Sequence, residues 1–451
     1  MIIKRLAVAT MLLSAVAFSG CTNDDDGPSV KADLDKELLA VLTSAGGTSG
    51  ADYFKLPASD DFAKIPQDPK NAMTAAKVEL GKFLFHETAI AINPKMPSAE
   101  GTYSCATCHH AKAGFQAGRP QGISDGGIGF GNNGLDRIKR DDYPDDSVDV
   151  QPIRTPTAMN ITYQENMLWD GAFGATGENV DTDAYWTPGT PKETNNLGYA
   201  GVETQAIAGL TVHRLKIEGS LCESDADYKQ MFAAAFPSIA AEERITREYA
   251  GLAIAAYERS LLPNEAPFQK WLAGDDAAMS DSEKRGAVVF MEKGKCATCH
   301  TGPALSSMAF YGYGMNDLRM LNNIFQKKEM DHKGRGGFTG LAADDYTYKV
   351  PQLYNMKDSP FLGHGASFNS IREVVEYKNN GVAEHTGVPA SQLSAEFKPL
   401  GLTDDEVTDL TAFMETALYD ANLERYLPDV LPSGNCFPVN DVQSKIDLGC
   451  N

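Results

Sequence analysis

Long apolar runs are nearly missing from this chain of 451 residues. The longest, Leu6 to Phe18, falls short of the ~20 residues that a membrane-spanning helix needs. The mature chain is therefore expected to be soluble, or at most tethered to a membrane. Basic charge is also scarce: 40 Lys+Arg stand against 61 Asp+Glu, a formal net charge of −21. That balance argues against nucleic acid or an anionic lipid surface as partner. It suits docking of a cationic protein, or it serves solubility alone. Strand-like alternation is rare, which argues against a sandwich or barrel. Histidine is sparse as well, with eight in the chain, so each one can be weighed individually.

The first twenty residues read as an export signal. Lys4 and Arg5 form the basic start, Leu6 to Phe18 the apolar run, and Ser19-Gly20 the small residues before Cys21. A cysteine at that point predicts a lipidated N-terminus at Cys21, with a plain secretory signal as the alternative. Residues 21–35, polar at their start, read as a flexible tether. The expected location is the periplasm of a Gram-negative bacterium, with a lipid anchor to the outer membrane. Loss of Lys4 and Arg5 with the leader takes the net charge to −23.

The cysteines carry the chemistry. Cys105-Ala-Thr-Cys108-His109 and Cys296-Ala-Thr-Cys299-His300 are two copies of Cys-x-x-Cys-His, the attachment signature of c-type haem. The two thiols bond to the haem vinyl groups, and the adjacent imidazole, His109 or His300, reaches the iron as an axial ligand. A structural zinc site would want four clustered ligands, and no second pair lies near either motif. Two covalently held haem c groups are expected. Cys436 and Cys450 flank a short polar segment and could close a disulfide in an oxidising compartment. Cys222 is left as a buried thiol, or as an alternative partner for one of them.

The fold class expected is mainly α: two cytochrome-c-like helical haem domains with long loops. The break falls near Pro263-Asn264-Glu265-Ala266-Pro267. Residues 36–263 form the N-terminal haem domain, 264–432 the C-terminal one, and 433–451 a tail. Ile245 to Leu262 has helical periodicity. Capping boxes at Ser280–Glu283 and Thr403–Glu406 open two further helices. Ala111 to Val150 and Ala175 to Tyr199 are Gly- and Asp-rich without periodicity, and loops of this length are usually functional or disordered.

Around the motifs the chain resembles the bacterial di-haem cytochrome c peroxidase family, including its MauG-type branch. The resemblance rests on Leu80-Gly81-Lys82-Phe83-Leu84-Phe85, Thr155-Pro156-Thr157 with Asn160, Trp169-Asp170-Gly171, Phe361-Leu362-Gly363-His364-Gly365 and Ile371 to Tyr377, in family order over residues 70–420. It implies that the N-terminal haem meets hydrogen peroxide and the C-terminal haem passes electrons. It implies a small cytochrome or copper protein as electron donor, or, for the MauG-like variant, a protein substrate whose side chains are oxidised.

The resemblance also implies roles for single residues. The histidine that usually blocks the first haem is missing, since His110 adjoins the proximal ligand and cannot reach the far face. Tyr377 falls where the second haem takes its sixth ligand, with an ordinary buried tyrosine and a methionine such as Met356 as the alternative. An anionic phenolate there would stabilise high oxidation states. Trp169 matches the tryptophan between the haems, either a relay for an electron hole or a core aromatic. Gln205 matches the distal glutamine, but the glutamate that should follow is absent. His213 then stands as general acid–base, as a ligand of the first iron, or as a structural histidine. The implied inter-haem calcium would face Arg154 and Lys349, two positive side chains. A non-enzymatic electron carrier is the competing class; it needs a sixth ligand for the first haem, from His213 or Met167.

Overall fold

In the computed structural model, which describes residues 28–322, 324–326 and 332–450, helices carry nearly all the regular structure. The leader and Cys21 lie outside the described residues. Helices α1 (Pro28–Ala45) and α2 (Ala75–His86) precede the first haem motif. Helices α3 (Gly201–Val212), α4 (Leu221–Ser224), α5 (Ala226–Ala235) and α6 (Arg247–Arg259) follow it, and α7 (Pro267–Leu272) and α8 (Asp281–Met291) lead to the second. Helices α9 (Arg335–Thr339), α10 (Ile371–Asn380), α11 (Asp404–Ala412) and α12 (Val442–Leu448) complete the set. Two short antiparallel ladders join β1 (Gly127–Ile128) to β2 (Ile138–Lys139) and β3 (Phe310–Tyr311) to β4 (Tyr348–Lys349). No helix among the described residues is long and apolar enough to cross a membrane.

Local chemistry sets the helix starts. Thr246 caps α6, and the expected capping boxes form at Ser280/Glu283 and Thr403/Glu406. The helix before each haem motif then packs in the same way. A Cβ on Gly81 in α2 would lie 1.9 Å from the Ala253 carbonyl oxygen of α6. A Cβ on Gly286 in α8 would lie 1.9 Å from the Asp409 carbonyl oxygen of α11. Glycine alone permits these two crossings. Four residues after each glycine, Phe85 and Phe290 bring their rings to 6.4 Å from His109 and 6.5 Å from His300. The two halves are thus built on one plan.

Two apolar cores result. The first gathers α2, α3, α5 and α6, and the second α7, α8, α10 and α11. The chain passes between them at Leu261–Ala266, where the proline-bounded break lies. The ends of the chain cross over. Leu38 and Leu42 of α1, with Phe54, belong to the second core rather than the first. Asp35 accepts hydrogen bonds from Trp271 Nε1 at 2.7 Å and pairs with Lys284 at 2.6 Å. Sequence position alone assigns that helix to the N-terminal domain. The structure assigns it to the C-terminal core, because its apolar face fits α8. In return Leu423 and Tyr426 enter the first core. Asp441, just before α12, pairs with the buried Arg137 at 3.2 Å.

The two aperiodic stretches are ordered by buried polar side chains. Arg137 donates to the carbonyls of Ile123 (2.7 Å), Ser124 (2.8 Å) and Gly129 (3.2 Å), so the 111–150 segment folds round it. Asn179 and Arg335 do the same for the second stretch, with Arg335 Nη1 donating to Asn179 Oδ1 at 2.7 Å. A disulfide joins Cys436 and Cys450, with Cα atoms 5.9 Å apart, and Cys222 is a buried free thiol.

Candidate haem sites

None of the four motif cysteines is in a disulfide. His109 Nδ1 bonds the Phe115 carbonyl at 3.2 Å; His300 Nδ1 bonds those of Leu305 (3.0 Å) and Pro351 (3.1 Å). The carbonyls take the Nδ1–H, which leaves each Nε2 as a lone-pair donor. Burial drops both imidazoles to about 4, so they stay neutral and ligand-ready.

At the second motif, Cys296, Cys299 and His300 open onto a cavity of about 620 Å³, within the usual range for a cofactor pocket. At the first, a Cβ on Gly122 would meet Cys108 Sγ at 3.0 Å and Thr155 Oγ1 at 2.7 Å, so glycine there leaves the sulfur its room. A cavity with two thiols and a lone-pair imidazole on its wall fits a covalently attached haem. No cluster of three or more His, Cys, Asp or Glu side chains suited to a metal ion exists among the described residues.

Residues 75–277 match the sequence model of a family described as di-haem cytochrome c peroxidase. Over that stretch the chain is similar to this family. It is similar to the methylamine utilization protein MauG of Methylorubrum extorquens, at 29% identity over 85% of this chain and 86% of that one. It is similar to the cytochrome-c peroxidase IdrP1 of Denitromonas iodatirespirans, at 28% identity over 84% and 90%. Among solved structures, a MauG-like protein associated with microbial copper homeostasis superposes with a TM-score of 0.55 at 22% identity, covering 82% of this chain and 95% of that one. This last likeness concerns the fold.

The first site brings together residues far apart in sequence. Along α3, Gln205 and Gly209, then Val212 and His213, fall at i, i+4, i+7 and i+8; Gln205 and Gly209 are partly open amid buried neighbours, and the helix end at Thr211–Arg214 is open. A Cβ on Gly209 would meet only Gln205 Nε2, at 3.7 Å. His213 lies at that helix end, and its Nδ1 bonds Asp149 Oδ2 at 2.8 Å. Burial opposes charge on this ring, but the charge and hydrogen bond of Asp149 outweigh it and raise the pKa above the ordinary value. His213 is also near enough to His109 to depress that imidazole. Sequence reading missed Asp149, and nothing local in the 111–150 stretch marks it. His110 is elsewhere: it is buried against Phe130, ring centroids 4.9 Å apart.

Another residue that sequence reading missed is Glu258 in α6. Burial first, and then the negative charge of Glu203, push its carboxyl up to about 8, although Arg259 works the other way. Its Oε2 has no hydrogen-bond partner, and its charge is felt at Cys105. Arg259 itself is claimed by Glu203, which it grips at 2.9 and 2.7 Å.

Trp169 lies on the wall of the cavity at the second motif, its Nε1 donating to the Arg154 carbonyl at 2.9 Å. That wall continues to Pro156 and Thr157, and the Pro156 carbonyl also approaches the His109 ring. Met167 and His364 share the wall, His364 held by Asp317 at 3.1 Å and stacked on Tyr348. Arg154 and Lys349 are both buried here. Lys349 Nζ donates to the Asn166 carbonyl at 2.6 Å and to Gln164 Oε1. Arg154 Nη2 donates to Ser359 Oγ at 2.8 Å.

Tyr377 is not on the cavity wall. Its hydroxyl donates to the Tyr313 carbonyl at 2.6 Å, and its ring packs on Phe368 and Phe397. The reason is helical phase. Ile371, Val374, Val375 and Lys378 of α10 lie at i, i+3, i+4 and i+7, and these four line the cavity. Residue 377 points about 100° away from 378.

Proposed function

We propose that the protein is a periplasmic di-haem c-type peroxidase. It reduces hydrogen peroxide at the N-terminal site with electrons passed through the C-terminal site. The observation that carries this reading is the His213–Asp149 pair at the C-terminal end of α3, near enough to His109 to be felt there. Haem, when attached, supplies an open coordination position and a store of electrons. The chain supplies the proton chemistry. His213 Nε2 takes a proton from the near oxygen of peroxide and delivers it to the far oxygen, which leaves as water. Asp149 fixes the ring and favours its charged form. Gln205 and the bare Cα of Gly209 line the space in which peroxide sits. Two electrons and two protons in all convert one peroxide to two waters. Trp169, on the wall linking the sites, shortens each electron step.

The acidic surface suits a basic donor, a small cytochrome or copper protein. Export with lipidation at Cys21 would hold the enzyme at the outer membrane. MauG-like oxidation of a partner protein is the second reading, favoured by the likeness to a protein of that name. The phenolate argument for it is weakened by the position of Tyr377.

The test is low-temperature EPR of the ferric holoprotein before and after one equivalent of peroxide. The expected result is a high-spin signal that peroxide removes without prior reduction. His213→Ala should slow that reaction by about 10²–10⁴-fold and leave the resting spin state unchanged. Two low-spin haems indifferent to peroxide would refute the proposal.

A further inference from the structure

Lys378 is out of place in an apolar cavity. It lies on the wall with Cys296, Cys299 and His300, and close enough to all three to alter their electrostatics or feel theirs. Its Nζ sits 3.1 Å from the centre of the Tyr313 ring and 5.8 Å from that of Phe397. Among the described residues it makes no ion pair. Glu396, the acid on that wall, is exposed. A half-buried lysine that faces this cavity without a carboxylate loses hydration and gains little in return. A lone pair on a neutral amine has a different use there.

We propose that Lys378 Nζ is the sixth ligand of the C-terminal haem iron, opposite His300. This rests on the reading of Cys296–His300 as a haem site. The bond forms from the amine lone pair to iron, and the proton that the ammonium carried leaves to solvent. The competing donors on the page are placed otherwise. The Tyr377 hydroxyl is bonded to the Tyr313 carbonyl. The hydroxyls of Tyr311 and Tyr313 are turned to Cys299. Met315 lines the same cavity, with its Sδ 3.3 Å from where a Gly363 Cβ would stand, as do Met356 and Met414, and these thioethers are the competitors that experiment must separate. An amine donates electrons and accepts none back, so it favours the ferric state, whereas a thioether raises the potential.

The experiment uses the ferric holoprotein and its Lys378→Ala, Lys378→Met, Met315→Leu and Tyr377→Phe variants. Haem per chain is counted first; EPR, near-infrared magnetic circular dichroism and redox titration follow. With two haems per chain, the wild type should show a nitrogen-ligated low-spin haem. Lys378→Ala should lose it in favour of a high-spin signal. Lys378→Met should stay low-spin, gain the sulfur-to-iron charge-transfer band, and shift that haem to higher potential. Met315→Leu and Tyr377→Phe should leave the signal intact. Two haems with an unchanged low-spin signal in Lys378→Ala, or its loss in Met315→Leu or Tyr377→Phe, overturns the lysine assignment alone. Fewer than two haems in the wild type overturns the site reading and this inference with it.

Discussion

Replacing Gly81 or Gly286 by alanine sets two effects of opposite sign against each other. Alanine is the better helix former by about 1 kcal/mol, so propensity alone would make either variant more stable. Packing says the reverse. The new methyl would stand 1.9 Å from a carbonyl oxygen of the facing helix, where ordinary contact begins near 3.4 Å. The helices would have to part by about 1.5 Å. Overfilling a packed interior of this kind costs typically about 1–3 kcal/mol and sometimes more. Here the shift would also loosen Phe85 against His109, or Phe290 against His300. With a backbone carbonyl as the obstacle the cost falls at the upper end of that range, and the net expectation is destabilisation by up to about 2 kcal/mol at either site. Gly209→Ala is the control, since its methyl would meet nothing closer than 3.7 Å. It should stabilise by a few tenths to about 1 kcal/mol, while narrowing the space proposed for peroxide. Urea unfolding followed by circular dichroism, with hydrogen exchange of α2 and α8 amides, reads all three. If Gly81→Ala and Gly286→Ala are as stable as the parent or more so, the close-crossing argument is wrong.

Arg154 and Lys349 put two buried cationic side chains in one region, so EGTA should leave the spectra and peroxide turnover unchanged; a chelator-induced loss restored by calcium would contradict this. Lys349→Ala leaves the Asn166 carbonyl and Gln164 Oε1 without their donor and should cost about 1–3 kcal/mol in thermal unfolding. Glu258 should make stability fall with rising pH. Its folded pKa, about 8, lies above the ordinary 4.5, so the folded chain keeps a proton that the unfolded chain releases. The contribution is whole below 4.5 and is lost progressively up to about 8. It is at most ~5 kcal/mol at ~1.4 kcal/mol per unit. Glu258→Gln should flatten that slope in denaturation measured from pH 5 to 9. The Cys436–Cys450 bridge closes a short loop, so Cys436→Ser with Cys450→Ser should lower stability by ~3 kcal/mol. Since the Pro438 carbonyl within that loop accepts from Thr107 Oγ1 at 3.0 Å, the same change should raise hydrogen exchange at the first haem motif.

Much of this was open to a reading of the sequence. The two Cys-x-x-Cys-His strings are local signals, and so are the capping boxes at Ser280 and Thr403, because a cap is decided within four residues. The crossing of the chain ends was not legible, since which core α1 joins depends on a face formed by α8 more than 200 residues later. The partnership of His213 with Asp149 is likewise a product of how the 111–150 segment folds round Arg137. Lys378 is a different case. The apolar stripe Ile371, Val374, Val375 extends by helical spacing to 378 and not to 377, so the phase of α10 was written in the sequence. Tyr377, one residue earlier, falls off that stripe and packs on Phe368 and Phe397.

Because α1 clasps the second core while the tail with Leu423, Tyr426 and Asp441 clasps the first, no cut near Pro263 yields an intact half. Residues 1–263 would present α1 with no surface to cover it and an Arg137 stripped of its counter-ion. The remainder would lack the helix that seats Asp35 on Trp271 and Lys284. A protease that nicks the linker should therefore leave two fragments that stay together. During synthesis the first core cannot be finished until Leu423, Tyr426 and Asp441 have emerged, which ties the ordering of the first Cys-x-x-Cys-His motif to a segment more than 300 residues later.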